Sequence, residues 1–415
     1  MAVLSRLLVD GDRLNQSINR LATIGKLPNG DICRLAFTPE DLQARYRVQQ
    51  WMVGVGMTVR TDAAGNLIGR YDGLVADAPA LATGSHIDTV PSGGSYDGVL
   101  GVLAGIEVVR SLRDQKLRLK HPIEVIVFTD EESSMIGGQG MAGTVVLDAP
   151  ERYQPKIGKP IQTCLDSIGG DWDQLPSARR TRSEVAAFVE LHVEQGPVLE
   201  QRRVEIGIVQ GVVGMLRKSI TITGQANHAG TTPMEARQDA LVAAAQVILA
   251  VQQTALKIPS QPVATVGFLT VAPNAVNIVP GRVEMSVDMR DLSQPCLDTM
   301  MVQLRHEMAA IATATHTQIH LDPILCVEPT PAALSVQQAI GTVCQNLGLS
   351  YCHLPSRAGH DAMEMGRITD MGMIFVPSQA GLSHSGEEYT SAEQCTQGAN
   401  VLLHTLLQLD EIYPC

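Results

Sequence analysis

Seven residues of types that hold or use a divalent metal fall in five short segments of the chain: His86 and Asp88, Asp97, Glu131 and Glu132, His192, and His384. Imidazole and carboxylate together suit borderline divalent ions such as Zn²⁺, Mn²⁺, Co²⁺ or Ni²⁺, among which availability decides. A pair of ions about 3.5–4 Å apart needs roughly three protein ligands each, one of them a bridging carboxylate. His86, Asp97, Glu132, His192 and His384 make such a set with Asp97 as the bridge. Asp88, two residues beyond His86, is placed to orient that imidazole from behind. Glu131 cannot point at the same ion as Glu132, because successive side chains diverge. It is left to take a proton from a water whose pKa an ion has lowered. The chemistry these residues suggest is hydrolysis.

The elements that must carry them read as an α/β sheet. Ala80–Thr83 is a short apolar run ending at Gly84-Ser85, and His86 and Asp88 follow it. Beyond Asp97, the residues Val99, Leu100, Leu103, Ile106, Val109 and Leu112 recur at helical spacing. Pro122–Thr129 is a continuous apolar run, as a strand covered on both faces requires, and it ends on Asp130-Glu131-Glu132. Ala186–Val193 delivers Glu190, His192 and Glu194 in alternation onto one face. His384 follows the strand-like MIFVPS at 373–378. Strand, loop, helix and strand with polar exits imply a mostly parallel sheet, whose ligand crevice lies outside the carboxyl ends of its strands. Residues 3–25 and 38–55 read as helices, and 58–61 and 67–71 as short strands.

Beyond Gly211 the pattern changes to alternation. Strands are expected at 216–223, 263–270, 282–290 and 317–322. Helices follow a capping box at Thr232, Pro233 and Glu235, and again over 294–312. That order, β-α-β-β-α-β, is a ferredoxin-like α+β sandwich. We therefore read residues 212–329 as an inserted domain, and 1–211 with 330–415 as the catalytic metal domain.

At 415 residues the chain is long enough for two cores. Its net charge of −12 argues against nucleic acid or an anionic membrane surface as partner. Eight scattered cysteines without a CxxC pair fit reduced thiols in a cytoplasmic protein. The N-terminal stretch is amphipathic and carries acids, unlike a signal peptide, and no run approaches the ~20 apolar residues of a bilayer span. Gly138-x-Gly140-x-x-Gly143 matches a dinucleotide fingerprint by letter, but it starts too far after its strand and behind two acids. A cysteine-dependent amidase leaves the five ligand-type positions unexplained, and a non-catalytic metal-binding scaffold leaves Glu131 without a purpose.

The motifs HIDTVP, YDGVLG, the paired Glu131-Glu132, ELHVEQGPVLE, NHAGTTP and the late SHS resemble the dinuclear metallohydrolases of the M20 superfamily. Within it the chain is similar to the hydantoinase/carbamoylase branch: N-carbamoyl-L-amino-acid hydrolases, β-ureidopropionases and allantoate amidohydrolases. The resemblance implies metal roles for His86, Asp97, Glu132, His192 and His384, and the base role for Glu131. It further implies substrate-binding positions at Gln195, Arg217, His228, Asn277 and Arg290, and an inserted domain that dimerises and closes over the substrate, with His228 supplied by the partner subunit. His228 lies in a tight loop where a donor could meet a developing oxyanion. Arg290 ends a strand on its polar face and could fork onto a substrate carboxylate. His360, in Gly-His-Asp, belongs to a family motif without an assigned job.

The chain departs from the family pattern at Ser133-Ser134-Met135, at Arg357 and at Gln379-Ala380, which leaves substrate identity open. The expectation is a homodimer with two divalent ions per subunit, cleaving the ureido C–N bond of an N-carbamoyl-L-amino acid. Allantoate is the alternative substrate, and a dipeptide or N-acyl-amino acid a third.

Overall fold

The computed structural model describes residues 7–415. It divides into two units, one formed by the chain up to Gly211 with Ala332–Cys415, the other by Val212–Pro331. The first begins with two helices. Helix α1 (Gly11–Leu21) is shorter than the expected 3–25: residues 3–6 lie outside the described residues, and Asp10 sets the start by accepting the Arg13 N–H. Helix α2 (Pro39–Gly54) is capped by Thr38 with Pro at the first position. An antiparallel pair, β1 (Thr58–Thr61) and β2 (Leu67–Tyr71), leads into β3 (Ala80–His86).

Strand β3 runs three residues past the expected Thr83. The parallel ladder with β4 (Ile123–Phe128) continues to His86, which pairs with Phe128. His86 is therefore fixed by the sheet and is not the first residue of a loop. Between these strands α3 (Val99–Asp114) crosses over, and nearly all of its residues are buried. After β4 come α4 (Ile136–Ala142) and α5 (Ile161–Ser167), then β5 (Val185–Val193), buried along its whole length, α6 (Val198–Arg202) and β6 (Ile206–Val212). Gly138, Gly140 and Gly143 sit within and at the end of α4, so the apparent dinucleotide fingerprint is helical backbone.

In the second unit β7 (Gly214–Thr223), β8 (Asn227–His228), α7 (Ala240–Leu256), β9 (Val263–Ala272), β10 (Ile278–Val279), β11 (Arg282–Asp291), α8 (Gln294–Thr315) and β12 (Gln318–Val327) follow in turn. The four long strands form an antiparallel sheet ordered β12-β7-β11-β9, the expected sandwich. Val283, Met285, Val287 and Met289 turn inward to a core shared with α7 and α8. The capping box expected at Thr232 does not form. The Thr232 hydroxyl donates to the His228 carbonyl, only a 3₁₀ turn covers Met234–Ala236, and α7 starts on Asp239, whose carboxylate accepts the Leu241 and Val242 N–H groups.

After β13 (Thr330–Pro331) the chain returns with α9 (Leu334–Leu347), β14 (Tyr351–Ser356), α10 (Asp361–Met365), β15 (Asp370–Val376) and α11 (Ala392–Ile412). The sheet of the first unit runs β1-β2-β4-β3-β5-β15-β6, with β4-β3-β5-β15 parallel and β14 paired on β6. Its parallel centre therefore sends four strands out at one edge. No helix among the described residues is long and apolar enough to cross a membrane.

Gly84, in the middle of β3, adopts φ +148°, and a Cβ there would collide with the Ile126 carbonyl oxygen. Gly84→Ala should therefore cost about 2 kcal/mol or more from backbone strain and overpacking together. Chemical denaturation checks this, and an unchanged midpoint would contradict it.

Candidate metal centre

The exits of the parallel strands converge on a cavity of about 210 Å³ lined by His86, Asp97, Glu131, Glu132, His192, Gln195, His360 and His384, among others. Strands β3 and β5 carry His86 and His192 into it with 3% and 1% side-chain exposure. The β3–α3 loop supplies Asp97, the turn after β4 supplies the two glutamates, and the loop after β15 supplies His384.

Asp97 stands at the centre. Its Oδ1 lies 3.1 Å from His192 Nε2 and 3.7 Å from His86 Nε2. Its Oδ2 lies 3.2 Å from His384 Nε2 and 3.1 Å from the Gln195 amide nitrogen. Two ligand groups share it: His86, Asp97 and His192 on one side, and Asp97, Glu132 and His384 on the other, each with donor atoms within 4.8 Å of one another. Glu132 Oε1 is 3.5 Å from His384 Nε2, whereas Glu131 Oε2 is 3.7 Å from His86 Nε2. The neighbouring glutamates diverge to opposite sides.

Main-chain carbonyls orient the imidazoles. His86 Nδ1 is 2.9 Å from the Asp88 carbonyl oxygen, and His192 Nδ1 is 2.8 Å from that of Val193. Each ring donates from Nδ1 to its carbonyl and so turns Nε2 toward Asp97. Asp88 thus orients His86 through its backbone. Its carboxylate is 3.7 Å from Nδ1 and instead accepts the Glu132 N–H at 3.2 Å. Gly98, at φ +66°, leaves room for the ring: a Cβ there would meet His86 at 2.5 Å.

A further ring of residues supports these ligands, and of these the sequence singles out His360 and Glu190. His360 packs its ring 4.5 Å from that of His192, edge to face, and its Nε2 is 2.8 Å from the Ser356 hydroxyl. Burial, with the charge of His192, holds His360 well below the usual imidazole range, so it is a neutral prop for His192. Glu190 accepts from Ser85 at 2.6 Å and from the Ala362 N–H at 3.0 Å. Its alternation with His192 along β5 was the only signal of it. Fully buried Arg34 donates to the Ile87 and Ile24 carbonyls at 2.6 and 3.0 Å, clamping the chain just after His86. Four non-glycine residues around the centre, Asp130, Met135, Gln195 and His384, hold positive φ, a strain of about 1–3 kcal/mol each that clusters where function requires it.

Of the remaining expected substrate residues, Gln195 lies at the cavity, its amide nitrogen between Asp97 and His384. The other four lie in the second unit as two pairs. Arg217 and Arg290, on the outer face of the sheet, both bond Asp288, at 2.7 and 2.9 Å. His228 pairs with Ile278 across the β8–β10 ribbon, and the Asn277 carbonyl accepts the Ala229 N–H at 2.9 Å. His228 Nδ1 accepts the Gly230 and Thr231 N–H groups, so a neutral ring carries its proton on Nε2, as a donor.

The electrostatics call for cations. Four carboxylates, Asp88, Asp97, Glu131 and Glu132, crowd the centre, and no Lys or Arg lines the cavity among the described residues. Burial, reinforced by Glu132 and Asp97 and countered in part by His86, pushes Glu131 up to about 8. Burial opposes the charged form of His86, yet Glu131, Asp97 and Asp88 outweigh it and hold the ring well above its usual range. Burial likewise opposes ionised Asp97, but the three imidazoles hold it well below the carboxylate range. Asp88 Oδ1 and Gln195 Oε1 are buried without a hydrogen-bond partner. Three imidazoles and two carboxylates, with Asp97 common to both triads, fit divalent ions of the Zn²⁺ to Mn²⁺ series. The third candidate group, Glu190, His192 and His360, is already committed to the hydrogen bonds above.

The model of peptidase family M20/M25/M40 matches residues 82–408. The chain is 41% identical over 407 residues to an N-carbamoyl-L-amino acid amidohydrolase of Geobacillus stearothermophilus, covering 97% of this chain and 99% of that one. It is 34% identical to an allantoate amidohydrolase of Bacillus subtilis, covering 94% and 96%. Its fold is similar to the crystal structure of a hydantoinase/carbamoylase family amidase from Burkholderia multivorans, with TM-score 0.90 and 38% identity over 97% of this chain and 98% of that one.

The raised Glu131 carboxyl has a consequence for the metal-stripped protein. A buried acid with its folded pKa near 8, against an ordinary 4.5, contributes stability that is present below pH 4.5 and lost as pH rises to about 8. Glu131→Gln removes that contribution. Melting of the chelated proteins from pH 5 to 9 should show the variant gaining stability relative to wild type as pH rises. A difference independent of pH would contradict the assignment.

Proposed function

The chain belongs to peptidase family M20/M25/M40, and from that premise we propose that it is a metal-dependent amidohydrolase acting on N-carbamoyl-L-amino acids. It adds water across the ureido C–N bond and releases the amino acid, carbon dioxide and ammonia. The observation that carries this reading is the Asp97 carboxylate, whose two oxygens face two separate ligand triads with Glu131 beside one of them.

His86, Asp97 and His192 would hold one divalent ion, and Asp97, Glu132 and His384 the other. Bound there, such ions supply Lewis acidity, lowering the pKa of water and polarising a carbonyl. The chain's own groups do the rest. Glu131, beside His86 and outside both triads, accepts a proton from the attacking water and returns it to the leaving nitrogen. Asn277, Gln195 and Arg217 hold the substrate. Arg290 forks onto its carboxylate, with Asp288 presetting the guanidinium. His228 offers its Nε2–H to the developing oxyanion.

We assign the first unit as the catalytic domain and the second as the lid and dimerisation domain, with His228 serving the partner's site. Both outer strands of the second sheet leave apolar side chains exposed, Phe268 and Leu269 on β9, Ile324 and Leu325 on β12, which favours a second copy as partner. All eight cysteines are free, in keeping with a cytoplasmic setting.

Ammonia release from a panel of N-carbamoyl-amino acids, allantoate and N-acetyl-amino acids tests the reading, with each metal restored after chelation. The expected result is chelator-sensitive turnover of N-carbamoyl-L-amino acids. Turnover of allantoate alone selects the second substrate, and turnover untouched by chelation removes the metal mechanism. Glu131→Gln should lower kcat by about 10²–10⁴-fold with bound metal unchanged; near-normal rates would remove it as the base. Light scattering after gel filtration should give twice the 44.5 kDa chain mass, and a monomer would contradict the dimer.

A further inference from the structure

Glu388 has no part in the chemistry above, yet the residue is 5% exposed on the same loop as His384, and its two carboxylate oxygens reach two ligand segments. Oε1 accepts the main-chain N–H groups of Tyr96 and Asp97, at 2.8 and 3.0 Å. Oε2 accepts the Ser383 hydroxyl at 3.0 Å. The chain ahead of Asp97 is shaped to admit it, because a Cβ on Gly94 would lie 2.5 Å from Glu388 Cβ and Oε1.

The two sides of the centre are anchored differently. His86 and His192 stand on β3 and β5, where ladder hydrogen bonds fix their main chain. Glu132 and His384 stand on loops, and the His384 side chain is 50% exposed on a backbone at φ +53°. The sheet presets one side, whereas the other must be preset by whatever ties its loops to Asp97. Gln195 and Ser383 approach the Asp97 carboxylate itself, at 3.1 and 3.4 Å. Glu388 instead ties the Asp97 main chain to the His384 loop.

We propose that Glu388 is a positioning residue that locks the Asp97 and His384 segments in one register and so presets the Glu132/His384 side of the centre. The inference rests on the metal-pair reading given above. It follows that the two sides bind their ions with unequal affinity, and that Glu388 controls the loop-borne side more strongly than the sheet-borne one, which shares Asp97 but keeps His86 and His192 on the strands.

The test is titration of metal-stripped protein with Zn²⁺ alone against a chromogenic chelator, for wild type, Glu388→Ala, Glu388→Gln and Gly94→Ala. Melting of the metal-free forms shows which variants fold. Wild type should take up two equivalents. Glu388→Ala should bind the second equivalent about 10–100-fold more weakly, the usual cost of losing an outer partner, and the first, which keeps its two strand-borne imidazoles, much less so. Glu388→Gln keeps an oxygen for the Tyr96 and Asp97 N–H groups and should recover most of the loss. Gly94→Ala, which displaces an intact Glu388, should reproduce it and decides the matter if Glu388→Ala does not fold. Equal weakening of both equivalents, or of neither, overturns the proposal while leaving the metal pair standing. Fewer than two equivalents in wild type overturns the metal pair and the proposal with it.

Discussion

One carboxylate with a histidine on either side is the constraint from which the rest of the first unit follows. Asp97 meets His192 through Oδ1 and His384 through Oδ2, and these partners come from strands and loops far apart in sequence. Bringing Asp97, Glu131 and Glu132 together in a cavity that no Lys or Arg lines among the described residues is unfavourable for the protein alone. The raised Glu131 and the raised His86 are two signs of the same imbalance. Divalent cations at the two triads would resolve it.

The parallel sheet provides the rigidity this arrangement requires. Strands β3 and β5 deliver two imidazoles whose tautomers are set by main-chain carbonyls. Gly84 and Gly98 permit the close approaches around them, Arg34 clamps the chain just beyond His86, and His360 props His192 from behind. The loops carry the strain instead, with positive φ at Asp130, Gln195 and His384. Precision on one side and adaptability on the other is a division of labour that suits a site which must hold ions firmly and still admit a substrate.

Much of this was legible in the sequence, for a physical reason. Donor types at the ends of apolar runs mark strand exits, and the two periodicities, continuous burial in the first unit and alternation in the second, separate a parallel sheet from an antiparallel one. What spacing did not reveal depends on tertiary partners. His86 belongs to the strand because β4 continues alongside it. Thr232 does not cap a helix because its hydroxyl is taken by the His228 carbonyl. Asp88 orients His86 by its backbone, which no residue type encodes. Glu388, Arg34 and Glu190 act on groups hundreds or tens of residues away, and a single sequence carries no signal of such pairings beyond the alternation along β5.

The central claim is that two cations share Asp97. Crystals of protein reconstituted with Zn²⁺ or Mn²⁺, measured for anomalous scattering at the absorption edge of that metal, test it most directly. The account predicts two peaks about 3.5–4 Å apart, one bounded by His86 and His192, the other by Glu132 and His384, with Asp97 between them. A single peak, or two peaks that do not share Asp97, would contradict it.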